Sequence, residues 1–234
     1  MRVVNFGSLN IDYVYRVDHF VQPGETMSAL TLQIQCGGKG LNQSVALARA
    51  GVETWHAGRI GPEGRFLKET LDRAGVHTRF VEEIIRQAAR RGMRTAMNAA
   101  PANEKLEGLP LEALSWLLVN EVEGAFLAGT EAPEAILDTL AARYPETTVV
   151  LTLGEQGAAA ARGTRRARVP ARETAVVDTT AAGDTFTGYF LRRALEGGTL
   201  EEALSLAAAA SALAVSRPGA ADAVPGYEEV LRTL

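Results

Sequence analysis

Residues 177–188 combine a carboxylate with the local features of an anion-binding turn. The stretch starts with a β-branched run that we interpret as strand-like, continues through small residues, and then takes on an apolar periodicity that predicts a helix from about 182 to 195. The first N–H groups of a helix lack intrahelical partners, and the helix dipole makes that end positive. A turn of small residues leading into such a helix end is therefore suited to bind an anion.

Asp184 lies in the first turn of that predicted helix, beside any anion held there. A carboxylate in this place can take the proton of a hydroxyl group while the backbone N–H groups stabilise the negative charge that develops. The pattern is equally compatible with a simpler role, in which Asp184 caps the helix and the small residues only permit tight packing. The local sequence leaves both interpretations open.

The composition is typical of a globular enzyme of one or two domains. The chain has 234 residues, of which 47% are hydrophobic and 22% charged, so it is long enough to bury a sizeable core. The net charge is −4 and there is no basic run. Nucleic acid is therefore not expected as a partner.

The few residues that could form disulfides or bind metals are sparse and scattered. The single cysteine, Cys36, excludes an internal disulfide framework and fits a reducing cytoplasm. Three histidines, His19, His56 and His77, lack the spacing of zinc ligands. A strand-like run starts at residue 2, which leaves no room for a signal peptide, and no apolar run approaches membrane-spanning length. We expect a cytoplasmic protein without a membrane segment.

Strand-like and helix-like segments alternate along the chain and predict a mostly parallel sheet covered by helices on both faces. Extended segments are predicted at 2–6, 54–60, 76–81, 93–98, 116–119, 148–153 and 158–161. Helices are predicted at 42–50, 65–74, 82–91, 133–143, 182–195, 200–216 and 227–234. Two more strands, at 13–17 and 28–35, show the alternation of a half-exposed flap beside the main sheet.

Two polar or glycine-rich segments of the first half could contact a ligand. Asn10 and Asp12 follow the first strand and share one face of an extended segment, which suits hydrogen bonding to a polyhydroxylated ligand but also an ordinary polar turn. The glycines of residues 36–43 allow close approach of the backbone. Their spacing matches neither a phosphate-binding loop of nucleoside triphosphatases nor a dinucleotide fingerprint.

Three motifs in fixed order give the sequence a family resemblance. They are Cys-Gly-Gly-Lys-Gly-Leu-Asn-Gln at 36–43, Asn-Glu-Val-Glu at 120–123 and Asp-Thr-Thr-Ala-Ala-Gly-Asp-Thr-Phe at 178–186, followed by Arg-Pro-Gly-Ala at 217–220. With these motifs the chain resembles the ribokinase branch of the ribokinase-like (PfkB) carbohydrate kinases. The resemblance implies a three-layer α/β/α fold with a mostly parallel central sheet, as one domain over 1–234, with a small, reduced β lid at 13–36.

The family phosphorylates sugar hydroxyls with ATP and Mg²⁺, and many members also use a monovalent cation such as K⁺. By motif position the resemblance assigns the chemical step to Asp184 as the base and to the backbone of Ala181, Ala182 and Gly183 as the anion hole. The sugar-binding group that it implies is Asn10, Asp12, Gly37, Gly38 and Asn42.

The resemblance also implies a nucleotide side and a cation site. The nucleotide side comprises Asn120, Thr152, Gly154 and Gly157, and Glu123 joins Asn120 in holding magnesium and phosphates. The cation site comprises Asp178, Thr180, Ala214, Arg217 and Gly219, with much of the coordination from backbone carbonyls. Arg217 is also expected to fix its own loop rather than to touch ATP.

The chain departs from the family pattern at one internal gap, between Val81 and Glu82. Relatives carry two lid strands, a loop over the sugar, a helix, a core strand and an acidic sugar contact in this region. A reduced lid excludes water less well. It also removes part of the surface through which many relatives dimerise, so any homodimer is expected to use another interface.

The resulting hypothesis is an ATP-dependent kinase of a small sugar. Ribose comes first because the motif wording is closest to ribokinases, while fructose, a keto-deoxy sugar acid and a nucleoside remain open. A hypothesis from another class is a degenerate kinase that binds nucleotide or sugar without efficient turnover. The intact Asp184 and Gly183 favour the enzyme, whereas the missing sugar cover favours the degenerate kinase.

Overall fold

The computed structural model describes residues 2–19, 27–58, 60, 62–78, 91–100, 102, 106 and 109–234. The strands are β1 (Arg2–Phe6), β2 (Asn10–Arg16), β3 (Thr31–Gly37), β4 (Glu53–Ala57), β5 (Ala96–Asn98), β6 (Trp116–Asn120), β7 (Thr148–Thr152), β8 (Ala158–Arg162) and β9 (Arg165–Val169). The helices are α1 (Lys39–Arg49), α2 (Arg65–Arg73), α3 (Glu121–Ala128), α4 (Pro133–Arg143), α5 (Ala182–Leu195), α6 (Leu200–Val215) and α7 (Tyr227–Leu231). The predicted helix at 82–91 lies outside the described residues apart from residue 91.

The described strands form one five-stranded sheet and two separate pairs. The sheet has the order β5-β6-β7-β8-β9. Strands β5, β6 and β7 are parallel to one another, β8 is antiparallel to β7, and β9 is antiparallel to β8. Strands β1 and β4 form a parallel pair, and β2 and β3 an antiparallel pair. The parallel pairings agree with the predicted sheet, and the β2–β3 pair lies where the flap was expected.

Helices cover both faces of the five-stranded sheet. Leu118 and Val150 belong to one buried cluster, with side chains of α1, α5 and α6. Leu117, Val149 and Leu151 belong to a second cluster, with side chains of α3 and α4. Strands buried on both faces carry continuous apolar runs, and each buried Leu or Val side chain contributes about 1.5–3 kcal/mol. The α/β/α layering predicted from the sequence is confirmed.

The β1–β4 pair is joined to the rest of the molecule through helices. Val3 packs against the core that α1 shares with α5 and α6, and within the described residues no strand pairing links β1 or β4 to β5. On the opposite face of β1, Val4 is 50% and Phe6 64% exposed.

The sequence-based elements differ from the observed ones at several points. Strand β9 and helix α3 were not predicted, α1 starts three residues before the predicted position, and α7 ends at Leu231. The β-branched run before Asp178 was interpreted as strand-like, which is wrong, because residues 170–176 have no regular structure and Val177 is exposed. β-Branched residues favour strands only where a neighbouring strand pairs with them, and the Val177 N–H instead bonds to the Val215 carbonyl, 2.8 Å away.

Helix α5 starts from a strained backbone position. Ala181 precedes its first residue with a φ of 62°, and it is the one non-glycine residue with a positive φ among those described. The left-handed region costs a residue with a Cβ atom about 1–2 kcal/mol. The turn that presents the start of α5 is therefore held by the surrounding packing and not by local preference.

We expect Val4→Thr to change the free energy of unfolding by less than about 0.5 kcal/mol, because Val4 lies on the open face. The same change at the fully buried Val150 introduces an unpaired hydroxyl group and costs about 1–3 kcal/mol. Urea unfolding followed by circular dichroism measures both values. Equal losses for the two variants would show that the outer face of β1 is covered in solution.

Ala181→Gly is expected to raise the free energy of unfolding by about 0.5–1 kcal/mol, because glycine removes the left-handed strain at some cost in chain entropy. Ala182→Gly is the matched control, since Ala182 lies inside α5 and the change there lowers stability by up to about 1 kcal/mol. Urea titration of both variants checks the expectation. A loss of stability in Ala181→Gly would mean that the Ala181 methyl group contributes more by packing than the strain costs.

Candidate active site

A cleft of about 180 Å³ lies where β6, β7 and the start of α5 meet. Its position outside the carboxyl ends of parallel strands is the usual ligand site of open α/β sheets. The residues that line it are Lys39, Asn98, Ala100, Leu118, Val119, Asn120, Glu123, Thr152, Thr179, Ala181, Ala182, Gly183, Asp184 and Thr187. The structure thus brings the predicted catalytic group together with Asn120, Glu123 and Thr152.

Asp184 is 7% exposed and is held by a side chain from α1. Asn42 donates from Nδ2 to Oδ2 of Asp184 over 3.2 Å, and Oδ1 of Asp184 is buried without a partner among the described atoms. The start of α5 has no side-chain cap. The capping interpretation of Asp184 is therefore wrong, and one carboxylate oxygen of this cleft-lining residue has no partner within the described part of the protein.

The surroundings of Asp184 favour its neutral form. Burial raises the pKa of this carboxyl group above its ordinary value, and the hydrogen bond from Asn42 and the charge of Lys39 offset only part of that rise. A carboxylate with a raised pKa is a better proton acceptor than an exposed aspartate. The group is thus suited to accept a proton from a hydroxyl.

The backbone in the first turn of α5 offers N–H groups to the cleft. The Ala182 N–H bonds to the Thr179 carbonyl over 3.2 Å, whereas no backbone acceptor is recorded for the N–H groups of Gly183 and Asp184 in the described part of the chain. A Cβ atom at Gly183 would have no protein atom within 4 Å, so the backbone is open there. An anion at this turn would meet the positive end of the helix dipole.

Asn120 and Glu123 hold each other at the start of α3. The Asn120 side chain accepts a hydrogen bond from the Glu123 N–H over 2.9 Å, and the Glu123 carboxylate accepts one from the Asn120 N–H over 2.9 Å. This reciprocal capping box explains why α3 begins here. Glu123 is buried and lines the cleft with one carboxylate oxygen outside the capping box. The pair has a structural role beside any role toward a ligand.

Within the described residues, no three His, Cys, Asp or Glu side chains lie close enough to hold a metal ion together. Two carboxylates, those of Glu123 and Asp184, line the cleft, and Glu123 has one oxygen outside its capping box. Mg²⁺ keeps several waters and is usually bound through one or two carboxylates plus substrate phosphates. The donor set therefore fits a magnesium ion that arrives with a nucleotide, and not a resident metal.

The loop after β7 has glycines where the backbone requires them. Thr152 ends β7 and lines the cleft beside its register partner Asn120. Gly154 and Gly157 have φ values of 51° and 92°, and a Cβ atom at Gly157 would lie 2.1 Å from the Val169 carbonyl oxygen. Both glycines therefore have a steric explanation independent of nucleotide binding.

The predicted sugar-binding residues lie together at the junction of the flap with α1. Asn10 is the register partner of Gly37, and a Cβ atom at Gly37 would lie 1.9 Å from Oδ2 of Asp12. A Cβ atom at Gly38 would lie 2.7 Å from the Ser8 carbonyl oxygen. These four residues are not among those that line the cleft, and Asn42 is the member of the group that contacts Asp184.

The predicted cation-site residues join two loops. The Asp178 carboxylate accepts hydrogen bonds from the N–H groups of Thr180, at 2.8 Å, and Gly219, at 3.0 Å. The Thr180 side chain and these N–H groups hold the pKa of Asp178 below its ordinary value. Ala214 is buried in the last turn of α6, next to Val215, whose carbonyl accepts from the Val177 and Asp178 N–H groups.

Arg217 forms an ion pair with Glu229 of α7. Both side chains are partly exposed, and the guanidinium lowers the pKa of Glu229. The expectation that Arg217 fixes its own loop agrees with this contact.

Sequence reasoning missed several residues that line the cleft. Asn98, at the carboxyl end of β5, and Thr179 and Thr187, on either side of the first turn of α5, were not assigned to the site. A polar residue that ends a predicted strand was the signal available for Asn98. Thr187 carried no such signal, because its hydroxyl bonds to the Gly183 carbonyl like many helical threonines.

Comparison with known proteins identifies the relatives of this fold. The family model of pfkB family carbohydrate kinases matches residues 1–84 and 81–226. Ribokinase of Haemophilus influenzae is 28% identical over 296 residues, covering 97% of this chain and 96% of the relative. Ribokinase of Staphylococcus aureus is 28% identical over 302 residues, covering 98% of both chains.

Solved structures agree with these relatives. Ribokinase from Cryptococcus neoformans in complex with ADP superposes with a TM-score of 0.85 at 26% identity, covering 100% of this chain and 99% of that one. Ribokinase of Arabidopsis thaliana complexed with ribose and ATP has a TM-score of 0.85 at 27% identity, covering 99% and 97% of the two chains.

The comparisons also locate the internal gap. The two matched segments meet at residues 81–84, and the alignment with the Haemophilus influenzae protein spans 296 positions against 234 residues in this chain. Several dozen residues of that relative therefore have no counterpart here. Coverage of nearly the whole chain and the shared α/β/α fold show that the chain belongs to the pfkB family of carbohydrate kinases.

Proposed function

We propose that this protein transfers the γ-phosphoryl group of ATP to a hydroxyl of a small sugar, with ribose as the first candidate. The observation that carries the proposal is the buried Asp184 at the start of α5, with Oδ2 held by Asn42 and Oδ1 unpartnered beside the cleft. Two relatives with nearly full coverage are ribokinases, and one similar structure holds ribose and ATP.

In the proposed reaction Asp184 accepts the proton of the sugar hydroxyl as the oxygen attacks the γ-phosphorus. The bond to the β-phosphate oxygen breaks, and ADP leaves. Catalysis of such a transfer consists mostly of positioning and charge stabilisation. The backbone of Ala181, Ala182 and Gly183 supplies the stabilisation. Of these three N–H groups, that of Ala182 bonds to the Thr179 carbonyl, and those of Ala181 and Gly183 have no backbone acceptor among the described residues.

The sugar is proposed to bind at the junction of the flap with α1. Asp12 and Asn10 offer a carboxylate and an amide there, and the absence of side chains at Gly37 and Gly38 leaves room for the Asp12 carboxylate and the Ser8 carbonyl. Several oriented donors and acceptors are needed to select a small polyol, because its apolar surface is small. Asn42 joins the two regions, since its Oδ1 is buried and unpartnered while its Nδ2 holds Asp184.

The nucleotide is proposed to lie along the other side of the cleft. Asn120, Thr152, Gly154 and Gly157 form this side, and Glu123 would hold Mg²⁺ together with the phosphates. The magnesium ion, when bound, neutralises phosphate charge during the transfer. K⁺ is proposed for the paired loops that contain Asp178, Thr180, Ala214, Arg217 and Gly219, where Asp178 keeps lone pairs beyond its two N–H contacts.

We propose that residues 1–234 form a single domain, with residues 13–36 as its reduced lid. The protein is proposed to act in the cytoplasm. The single cysteine supports that location, and no described helix is long and apolar enough to cross a membrane. A homodimer, if formed, is proposed to use an interface other than the lid contact of many relatives.

A degenerate kinase that binds nucleotide or sugar without efficient turnover is the second candidate. The internal gap relative to the family favours it, because a site without its full cover admits water during phosphoryl transfer. The two candidates differ in turnover and not in binding.

Asp184→Asn is expected to lower sugar-dependent ATP consumption at least 100-fold, because general-base catalysis typically contributes about 10²–10⁴-fold. The assay covers ribose, fructose, keto-deoxy sugar acids and nucleosides. Asp222→Asn, on an exposed loop residue, is the matched control and keeps full activity. Undiminished turnover in Asp184→Asn would remove the base assignment, and ATP binding without turnover on any substrate would favour the degenerate kinase.

The pH below which kcat/KM falls is expected to lie above 3.8, the ordinary pKa of an aspartate. Burial raises the pKa of Asp184, and only its ionised form accepts a proton. Asn42→Leu removes the hydrogen bond that favours the ionised form, so this pH moves upward. A pH profile of kcat/KM measures both. A pH that does not move in Asn42→Leu would contradict the role of Asn42 toward Asp184.

A further inference from the structure

The partly buried Asn5 and the buried Ser44 and His56 form a row of hydrogen bonds that the proposed reaction does not use. Asn5 of β1 donates from Nδ2 to the Gly40 carbonyl, at 2.8 Å, and to Oγ of Ser44, at 2.9 Å. Oγ of Ser44 lies 2.7 Å from Nδ1 of His56 on β4. Ser44 is 0% and His56 3% exposed. These hydrogen bonds thus connect both strands of the β1–β4 pair to α1.

Two of these hydrogen bonds have a fixed direction, and the third depends on the tautomer of His56. The Gly40 carbonyl can only accept, so the atom of Asn5 that faces it is the amide nitrogen, and this nitrogen also donates to Ser44. In the neutral tautomer of His56 with its proton on Nε2, the hydroxyl group of Ser44 donates to Nδ1. The Nε2 atom is buried without a hydrogen-bond partner among the described residues.

Protonation of His56 would reverse the direction of its hydrogen bond to Ser44. A second ring proton on Nδ1 would face the oxygen of Ser44, which would have to turn its own hydroxyl proton away in a site with 0% exposure. Burial lowers the pKa of His56, and the Gly7 carbonyl offsets part of that effect. The unfolded chain therefore binds the proton more readily, so stability present above about pH 6.5 is lost as the pH falls.

The charged groups on the surrounding elements are engaged elsewhere. On the strands, Arg2 of β1 pairs with Glu53 of β4 at the surface. On α1, the charge of Lys39 lowers the pKa of Asp184, and Arg49 donates hydrogen bonds to the carbonyls of Ala221 and Val224. Beyond β4, His77 stacks on Trp55. Within the described part of the chain, none of these ionisable side chains is a hydrogen-bond partner of His56.

The chain of hydrogen bonds supports the part of α1 that faces Asp184. The N–H of Leu41 bonds to the Ser8 carbonyl over 3.1 Å, and the backbones of Gly7 and Gly40 touch so closely that neither could carry a Cβ atom. Asn42 follows in the same turn and holds Asp184. Movement of Ser44 away from His56 would therefore shift the residues that orient Asp184.

We infer that Asn5, Ser44 and His56 form a positioning device, which holds the first turn of α1, and with it Asn42 against Asp184, only while the His56 imidazole is neutral. The link to catalysis rests on the proposed function, whereas the link between His56 and α1 stands without it. Ser44 and His56 are positioning residues in this inference and do not touch the substrate.

A double-mutant cycle tests the pair. Ser44→Ala removes the donor to His56, and His56→Leu leaves the Ser44 hydroxyl without an acceptor, so each lowers Tm at pH 7.5 by about 3–8 °C. The double variant replaces both partners by apolar groups and recovers most of that loss. Additive losses in the double variant would overturn the inference, because they would show that the two side chains do not act as a pair.

Two measurements test directly how protonation of His56 affects α1. In NMR spectra of the intact protein, His56 is expected to titrate with a midpoint below 6.5, and a midpoint at or above that value would overturn the inference. Hydrogen exchange of the Leu41 and Asn42 amides, corrected for intrinsic rates, should accelerate between pH 7.5 and pH 5 in the wild type and not in the double variant. Equal acceleration in both would also overturn it.

Activity measurements separate this inference from the proposed function. If the protein is a sugar kinase, kcat should fall more steeply on the acid side in the wild type than in the double variant, with little change in the KM for ATP. If no sugar is turned over, the NMR and exchange measurements still decide whether His56 controls α1. A kinase whose acid profile is identical in the wild type and the double variant would overturn the catalytic link.

Discussion

The packing of α1 against α5 is the contact on which the two halves of the molecule depend. Among the described strands no pairing joins the β1–β4 pair to the five-stranded sheet, so the helices form the joint. A Cβ atom at Gly188 would lie 2.6 Å from that of Ala46, and this closeness brings Asn42 of α1 within 3.2 Å of Asp184 of α5. Close packing of small residues thereby sets the geometry of the candidate site.

The start of α5 combines several locally unfavourable features. Ala181 has a left-handed backbone, the helix lacks a side-chain cap, and Asp184 is buried with an unpartnered oxygen. Each of these costs free energy, and together they leave N–H groups and a carboxylate oxygen beside an open cleft. Such a combination is expected where a ligand and not the protein completes the hydrogen bonds.

The open face of β1 and the two-stranded flap both carry exposed apolar side chains. Val4 and Phe6 are exposed on one side of the β1–β4 pair, and Tyr13 and Ile34 are exposed on the flap. Relative to the family, the chain has its internal gap at residues 81–84. The β1–β4 pair is held by helices, and the cleft beside α5 keeps its framework.

The sequence by itself determined the elements with strong local signals and the location of the motifs. Helices at 133–143 and 182–195 have the predicted bounds, since an N-terminal proline or a clear apolar periodicity specifies each. Strand β9 and helix α3 were not predicted. The strand, Arg165–Val169, is rich in charge, and the apolar side chains of α3 show no strong periodicity.

Only the tertiary structure decided which side chains meet. The contact between Asn42 and Asp184 joins positions 142 residues apart, and the motif order could place both near a ligand without showing that one holds the other. The pairing of Ser44 with His56 carried no sequence signal at all, because a serine in a helix and a histidine in a strand are ordinary. Local sequence specifies backbone conformation within a few residues, whereas hydrogen bonds between distant elements arise only when packing brings those elements together.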